Sequence, residues 1–594
     1  MAILGANRGD CDVETSGKGV NVGTRNAWLG RTCFALGLLA AVGAGAAARA
    51  DEALDKAAAD PNGWAMAGHG YDNSRFSPLT QINTQNVGHL RLAYSFQLAS
   101  LRSNESSPIV IGDTMYVSTS WGPKFVYALN AATGERKWTY EPDIPDDVLQ
   151  YACCDVDSRG VTYADGKIFV GRLDGKLAAV DAATGKELWV ADVVDYKQGS
   201  VITSPPLVVK NLVITGFGGG EYGARGSLQA YDIKTGKLVW RTWTVPGPEE
   251  PNNDTWKGDS WQHGGGVPWL VGSYDPKTNT VFWGTSNPAP WNSAVRSTGN
   301  GDYGKLTNLY TSSTIAFDAD TGKIKWWVQS TPEDAWDYDG VNELVLADLP
   351  VGGATTPVYM KADRNGFFYV VNRDTGKIVS AEKYVPTTWA THIDIATGKP
   401  AEVADQRPGP GHPVKGVCPN LIGGKNWQPM AYNPQTRLVY IPSNNVCMDW
   451  SVSDVTYHRG VFYLGGEFPP HPGPGGYLGQ LVAWDPITNK QVWGVKSDLP
   501  FNGGVLTTAG GLTFWGDLHG FFHAYDAKTG AELWKMQLGS GIGAGPISYS
   551  VGGKQYVAVV VGRTVSLPAF LGDIGKAMVA ATPEGGALFV FTAD

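Results

Sequence analysis

Hydrophobic and polar residues alternate along most of this chain in short runs rich in Val, Ile and Tyr. Each run is stopped by Gly, Asp-x-x-Thr-Gly or Asn-Pro. A period of two marks strands with one buried face, and the stopping residues are turn formers. Long helical periodicity is almost absent, so the pattern predicts an all-β protein assembled from hairpins.

The hairpins repeat. Ala128-Leu-Asn-Ala-Ala-Thr-Gly-Glu-Arg-Lys-Trp138 returns as Ala179-Val-Asp-Ala-Ala-Thr-Gly-Lys-Glu-Leu-Trp189. Further copies end at Trp240, Trp326, Trp493 and Trp534, and a worn one occupies 371–377. A period of about 40–50 residues with strand–turn–strand content fits the four-stranded blades of a propeller. In each copy, Asp or Asn with Thr-Gly closes a tight turn. The alanine permits close packing, and the tryptophan wedges against the next blade. The expectation is one eight-bladed β-propeller over residues 51–594 with tryptophan-docking repeats. Pro- and Gly-rich loops between Trp240 and Ala316 and between Thr375 and Ala483 are where function is expected, because long loops on a compact scaffold usually carry it.

Composition sharpens this picture. Glycine numbers 77 of 594 residues, nearly twice the usual share of about 7%. A net charge of −9 argues against nucleic acid as a partner, which selects a basic face, and is compatible with a positively charged protein. Arg25 and Arg31 precede an apolar run from Cys33 to Ala48, followed by Ala48-Arg49-Ala50. These are the parts of a secretory signal, so residues 1–50 are expected to be removed and the remainder to be periplasmic or secreted. The apolar run is shorter than the roughly 20 residues that span a bilayer, and no other stretch is long enough.

Of six cysteines, Cys11 and Cys33 fall in the leader. An even number in an exported chain suggests two disulfides, and Cys418–Cys447 is the simplest second pair. Cys153 and Cys154 are adjacent, so they are either two buried thiols or a strained eight-membered disulfide ring. Such a ring offers a flat sulfur surface suited to pressing on a ligand. No Cys-x-x-Cys-His run is present, which excludes covalently attached haem. Gly218-Gly-Gly-Glu-Tyr-Gly223 formally matches a dinucleotide fingerprint, but strand and turn follow where a helix is required. The nine histidines are scattered and form no cluster.

The docking repeat, the Cys153-Cys-Asp-Val-Asp-Ser-Arg159 run and Trp336-Asp-Tyr-Asp-Gly340 together resemble the quinoprotein alcohol dehydrogenases, periplasmic propellers that carry pyrroloquinoline quinone (PQQ) on the axis. The likeness covers residues 63–594. It implies a metal held by Glu221, Asn287 and Asp337, oxygen donors that suit a hard cation. Asp339, two places after Asp337, resembles the lanthanide-dependent branch, since a trivalent ion is better neutralised by one more carboxylate; calcium is the alternative.

The same resemblance assigns Trp269 and the Cys153–Cys154 ring to the two faces of the quinone. Glu105, Arg159, Thr203, Gly219, Gly220, Asn426 and Trp427 are its remaining contacts, with Arg364 beside the reactive carbonyl. Val267 and Asn502 depart from the pattern, where relatives carry Thr and Trp, and imply a different local rim. The implied activity is oxidation of primary alcohols to aldehydes, with Asp337 as general base, Arg364 as electrostatic partner and a separate soluble cytochrome c as electron acceptor. A sugar or polyol dehydrogenase and a non-enzymatic assembly propeller are the alternatives. A homodimer is compatible with the resemblance.

Overall fold

A computed structural model describes residues 50–593 apart from Ser103 and Val565. The expected leader lies outside the described residues. Antiparallel sheets follow one another along the chain. One contains Thr162–Ala164, Lys167–Gly171, Lys176–Asp181 and Glu187–Asp192, and the next contains Leu207–Val209, Leu212–Thr215, Ser227–Asp232 and Leu238–Trp243. Corresponding sheets then run through Ser273–Gln329 and Val345–Lys383, and on to Leu506–Gln537, where Phe76–Ser77 adds a parallel fifth strand. Another sheet joins the two ends of the chain: Arg91–Gln97 pairs with Gly586–Thr592, which pairs with Lys554–Gly562.

The repeat explains how neighbouring sheets meet. The carboxylate of Asp181 accepts from the backbone of Ala183 and Thr184 and from the Thr184 hydroxyl, closing the turn. Asp232 does the same with Lys234 and Thr235. The glycine that follows takes a left-handed backbone, φ +75° at Gly185, which a side chain would strain. A Cβ there would also collide with the indole of Trp138 from the preceding sheet. The Trp138 indole N–H donates to the carbonyl of Ala182 at 3.0 Å, Trp189 to Ile233 and Trp240 to Ala319 at 3.2 Å. In these three cases the indole satisfies a carbonyl in the turn of the next repeat.

The long loops hold small sheets of their own. Val414–Val417 pairs with Val446–Val452, and a disulfide between Cys418 and Cys447 ties these segments together. Two α-helices escaped the reading of the sequence, Ala50–Ala59 and Gly572–Ala581. Ile574, Met578 and Ala581 recur at helical spacing and pack on a core cluster, but two glycines and a flanking proline mask the signal. Among the described residues no helix is long and apolar enough to cross a membrane.

Trp240 is 8% exposed and packs under Gly322. Trp240→Ala is expected to cost about 3–5 kcal/mol of unfolding free energy, as for other large aromatic deletions. Denaturant unfolding checks this; an unchanged midpoint would mean the indole contacts contribute nothing.

Candidate active site

The loops at one end of the sheets line a cavity that opens to solvent. Cys153, Cys154, Arg159, Thr203, Gly219, Glu221, Trp269, Asp337, Arg364, Asn426 and Trp427 line it, each named from the sequence above. The two adjacent sulfurs are bonded to each other, and one carboxylate oxygen of Glu221 lies within 4.8 Å of both.

Glu221 sits in the short turn Gly220–Tyr222. Gly219 before it has φ +117°, and a Cβ would strike the Gly199 carbonyl, so only glycine lets the turn approach this closely. Asp337 is itself left-handed at φ 66°, an uncommon conformation for a residue with a side chain. Gly423 passes so near Arg364 that a Cβ would overlap its side chain.

The charges are concentrated. Arg364 donates to Asp337 Oδ2 at 3.3 Å, to Asp339 and to the Leu421 carbonyl. Asp339 accepts at Oδ1 from the Asn287 backbone N–H, 2.7 Å, and at Oδ2 from the Trp269 indole N–H, 2.8 Å. Burial pushes Asp337 well above the usual carboxylate range. Arg364 pulls it back, while Asp339 and Glu221 push it further up. Burial and then Asp339 raise Glu221 to about 6. Burial works against the charge on Arg364, but Asp339, Asp337 and Glu221 more than offset it and hold its pKa above the ordinary value.

The residues fit a hard cation. Three carboxylates face one guanidinium, and the buried oxygens Asn287 Oδ1 and Asp337 Oδ1 have no protein partner. Buried polar atoms without partners are rare and call for an explanation such as an ion. The wall also fits a planar anionic group. Arg159 donates to Thr203 Oγ1 at 2.7 Å, pairs with Glu105 at 2.8 Å, and lies over the rings of Trp269 and Trp427 at 5.3 and 5.0 Å.

Asn287, Asp339, Gly220 and Glu105 stand behind the wall. Glu105 borders a second cavity that shares Arg159 and Trp427 with the first. Asn426 spends its side chain on its own loop, bonding Ile422 O and the Trp427 N–H. Val267 and Asn502 are buried off the wall, Asn502 donating to Thr564. The reading of the sequence missed the apolar mouth: Val201, Trp291, Leu421, Ile422, Leu567 and Phe570. Trp291 lies four residues after Asn287, whereas Leu567 and Phe570 lie in a stretch with no motif at all.

Known proteins supply a comparison. The family described as PQQ-dependent glucose/ethanol/alcohol dehydrogenase, β-propeller domain, matches residues 64–415 and 477–557. The chain belongs to that family of quinoprotein oxidoreductases, and its fold is an all-β propeller. It is 41% identical to the lanthanide-dependent methanol dehydrogenase of Methylacidiphilum fumariolicum, over 93% of this chain and 96% of the relative. It is 40% identical to the quinoprotein alcohol dehydrogenase PedH of Pseudomonas putida, over 94% and 97% respectively. A solved europium-containing methanol dehydrogenase superposes with a TM-score of 0.87 at 40% identity, over 91% of this chain and all of that one.

Removing Arg364 leaves the carboxylates without their protein cation. Arg364→Met is expected to lower the stability of metal-free protein by about 3–5 kcal/mol, the usual cost of stranding buried charge. Thermal melts with and without added calcium or lanthanum are the check, and millimolar cation should restore part of the loss.

Proposed function

We propose that this protein oxidises primary alcohols to aldehydes in the periplasm, with PQQ in the cavity, a lanthanide ion beside it and a soluble cytochrome c as electron acceptor. One observation carries the reading: Glu221, Asp337 and Asp339 surround a single Arg364, with unpartnered Asn287 and Asp337 oxygens, at a cavity walled by a disulfide and an indole. Eight blades, one for each sheet of four or five strands other than that built on Val414–Val417 and Val446–Val452, and docking by the repeat tryptophans belong to the same reading, as does the removal of residues 1–50.

Glu221, Asn287 and Asp337 would hold the ion, and Asp339 adds the carboxylate that suits a trivalent charge. When bound, the quinone accepts two electrons and the ion acts as a Lewis acid. Arg364 engages Oδ2 of Asp337 and fixes this carboxylate, which would also hold the ion, at the cavity, where it is placed to take the hydroxyl proton of the substrate. Arg364, charged and buried, stabilises negative charge that develops next to it. Arg159, held in place by Thr203, Glu105 and Asp157, is the donor placed to orient the cofactor's carboxylates. Trp291, Leu421, Ile422, Leu567 and Phe570 make the mouth apolar, which favours an alcohol with a hydrocarbon tail over a sugar or polyol.

Asp337→Ala is expected to lower dye-linked turnover of primary alcohols by about 10²–10⁴-fold, with the circular dichroism spectrum unchanged. Retained turnover would remove Asp337 from the chemistry. A substrate panel gives a second check: ethanol and longer primary alcohols should be oxidised faster than glucose or glycerol. For the ion, metal-depleted enzyme should regain more activity with lanthanum than with calcium, and Asp339→Ala should abolish that preference; a preference untouched by the substitution would clear Asp339 of the role.

A further inference from the structure

Asp339 does more than add charge. Its carboxylate is 2% exposed and gathers three donors from three separate segments: the Asn287 backbone N–H on Oδ1, and the Trp269 indole and the Arg364 guanidinium on Oδ2. A carboxylate oxygen has two lone-pair sites. Those of Oδ2 are both taken, so a cation that recruits Oδ2 has to displace either a guanidinium or an indole N–H. Arg364 is held in addition by Asp337 and by the Leu421 carbonyl. The indole has one N–H and no other acceptor for it, and its ring also forms a wall of the cavity beside Arg159.

We propose that Trp269 is a specificity-determining positioning residue for the metal as well as a wall for the cofactor: its indole N–H competes with the ion for Oδ2 of Asp339 and sets how much affinity that oxygen contributes. The inference rests on the metal site proposed above. It makes the wall of the cofactor cavity and the choice of ion parts of one hydrogen-bonded unit. The penalty falls on an ion that recruits Asp339 and not on one satisfied by Glu221, Asn287 and Asp337. Trp269 thereby tempers the advantage of a highly charged ion.

Trp269→Phe keeps an aromatic wall and deletes the donor. Calorimetric titration of lanthanum chloride and calcium chloride into metal-depleted, quinone-containing enzyme reads the dissociation constants directly, without turnover. Hydrogen bonds to charged groups are strong enough that Trp269→Phe should tighten lanthanum binding roughly tenfold or more. In an Asp339→Ala background, or Asp339→Asn if the first does not fold, the same substitution should leave lanthanum affinity within about twofold, because the coupling term of the double-mutant cycle has been removed. An equal change in both backgrounds, no change in either, or weaker lanthanum binding on the Asp339 background would overturn the inference. Wild-type enzyme that binds neither ion would instead overturn the metal site on which it rests.

Discussion

Like charges buried side by side repel, and this protein places three carboxylates around one guanidinium at the end of its sheets. Asp337 and Asp339 pair with Arg364, Glu221 feels its charge from nearby, and burial already disfavours charge on Asp337 and Glu221. Such a cluster stays together only if the backbone leaves it no escape. Glu221 follows the strand Leu212–Thr215, Asp337 and Asp339 lie between Ile324–Gln329 and Val345–Val351, and Arg364 follows Ala354–Ala362. Three successive sheets therefore fix the charged groups from different directions.

The local cost is visible in the loops. Asp337 has a left-handed backbone, and Gly219 and Gly423 occur where any Cβ would collide with a carbonyl or with Arg364. Unfavourable backbone at a site is tolerated when the surrounding structure over-determines it, and here the sheets and the Cys418–Cys447 bridge do so. The buried pair of Lys425 and Glu343, 2.6 Å apart, further anchors the loop that delivers Asn426 and Trp427.

Much of this was legible in the chain because the information is local. Asp-x-x-Thr-Gly turns and their tryptophans encode both strand ends and sheet-to-sheet contacts within eleven residues, so the all-β propeller could be read by counting copies. The polar residues of the cavity were legible because they stand in short, unusual runs such as Cys153-Cys154 and Trp336-Asp337. What escaped was collective. The apolar mouth takes one or two residues from each of several distant loops, and nothing in Leu421 or Phe570 taken singly distinguishes a cavity wall from a core. The hydrogen bond from Trp269 to Asp339 escaped for the same reason, since the two residues are 70 positions apart. Gly572–Ala581 escaped because ten residues with two glycines are too few for a clear helical period.

The sheet shared by Arg91–Gln97 and Gly586–Thr592 has a consequence for how the molecule comes into being. The strand Arg91–Gln97 keeps one edge unsatisfied until the far later segment Gly586–Thr592 is in place. Pairings between distant parts of a chain are slow to form and leave sticky edges exposed in the meantime. Closure is therefore cooperative between two distant segments, and loss of either strand would leave its partner's edge unpaired.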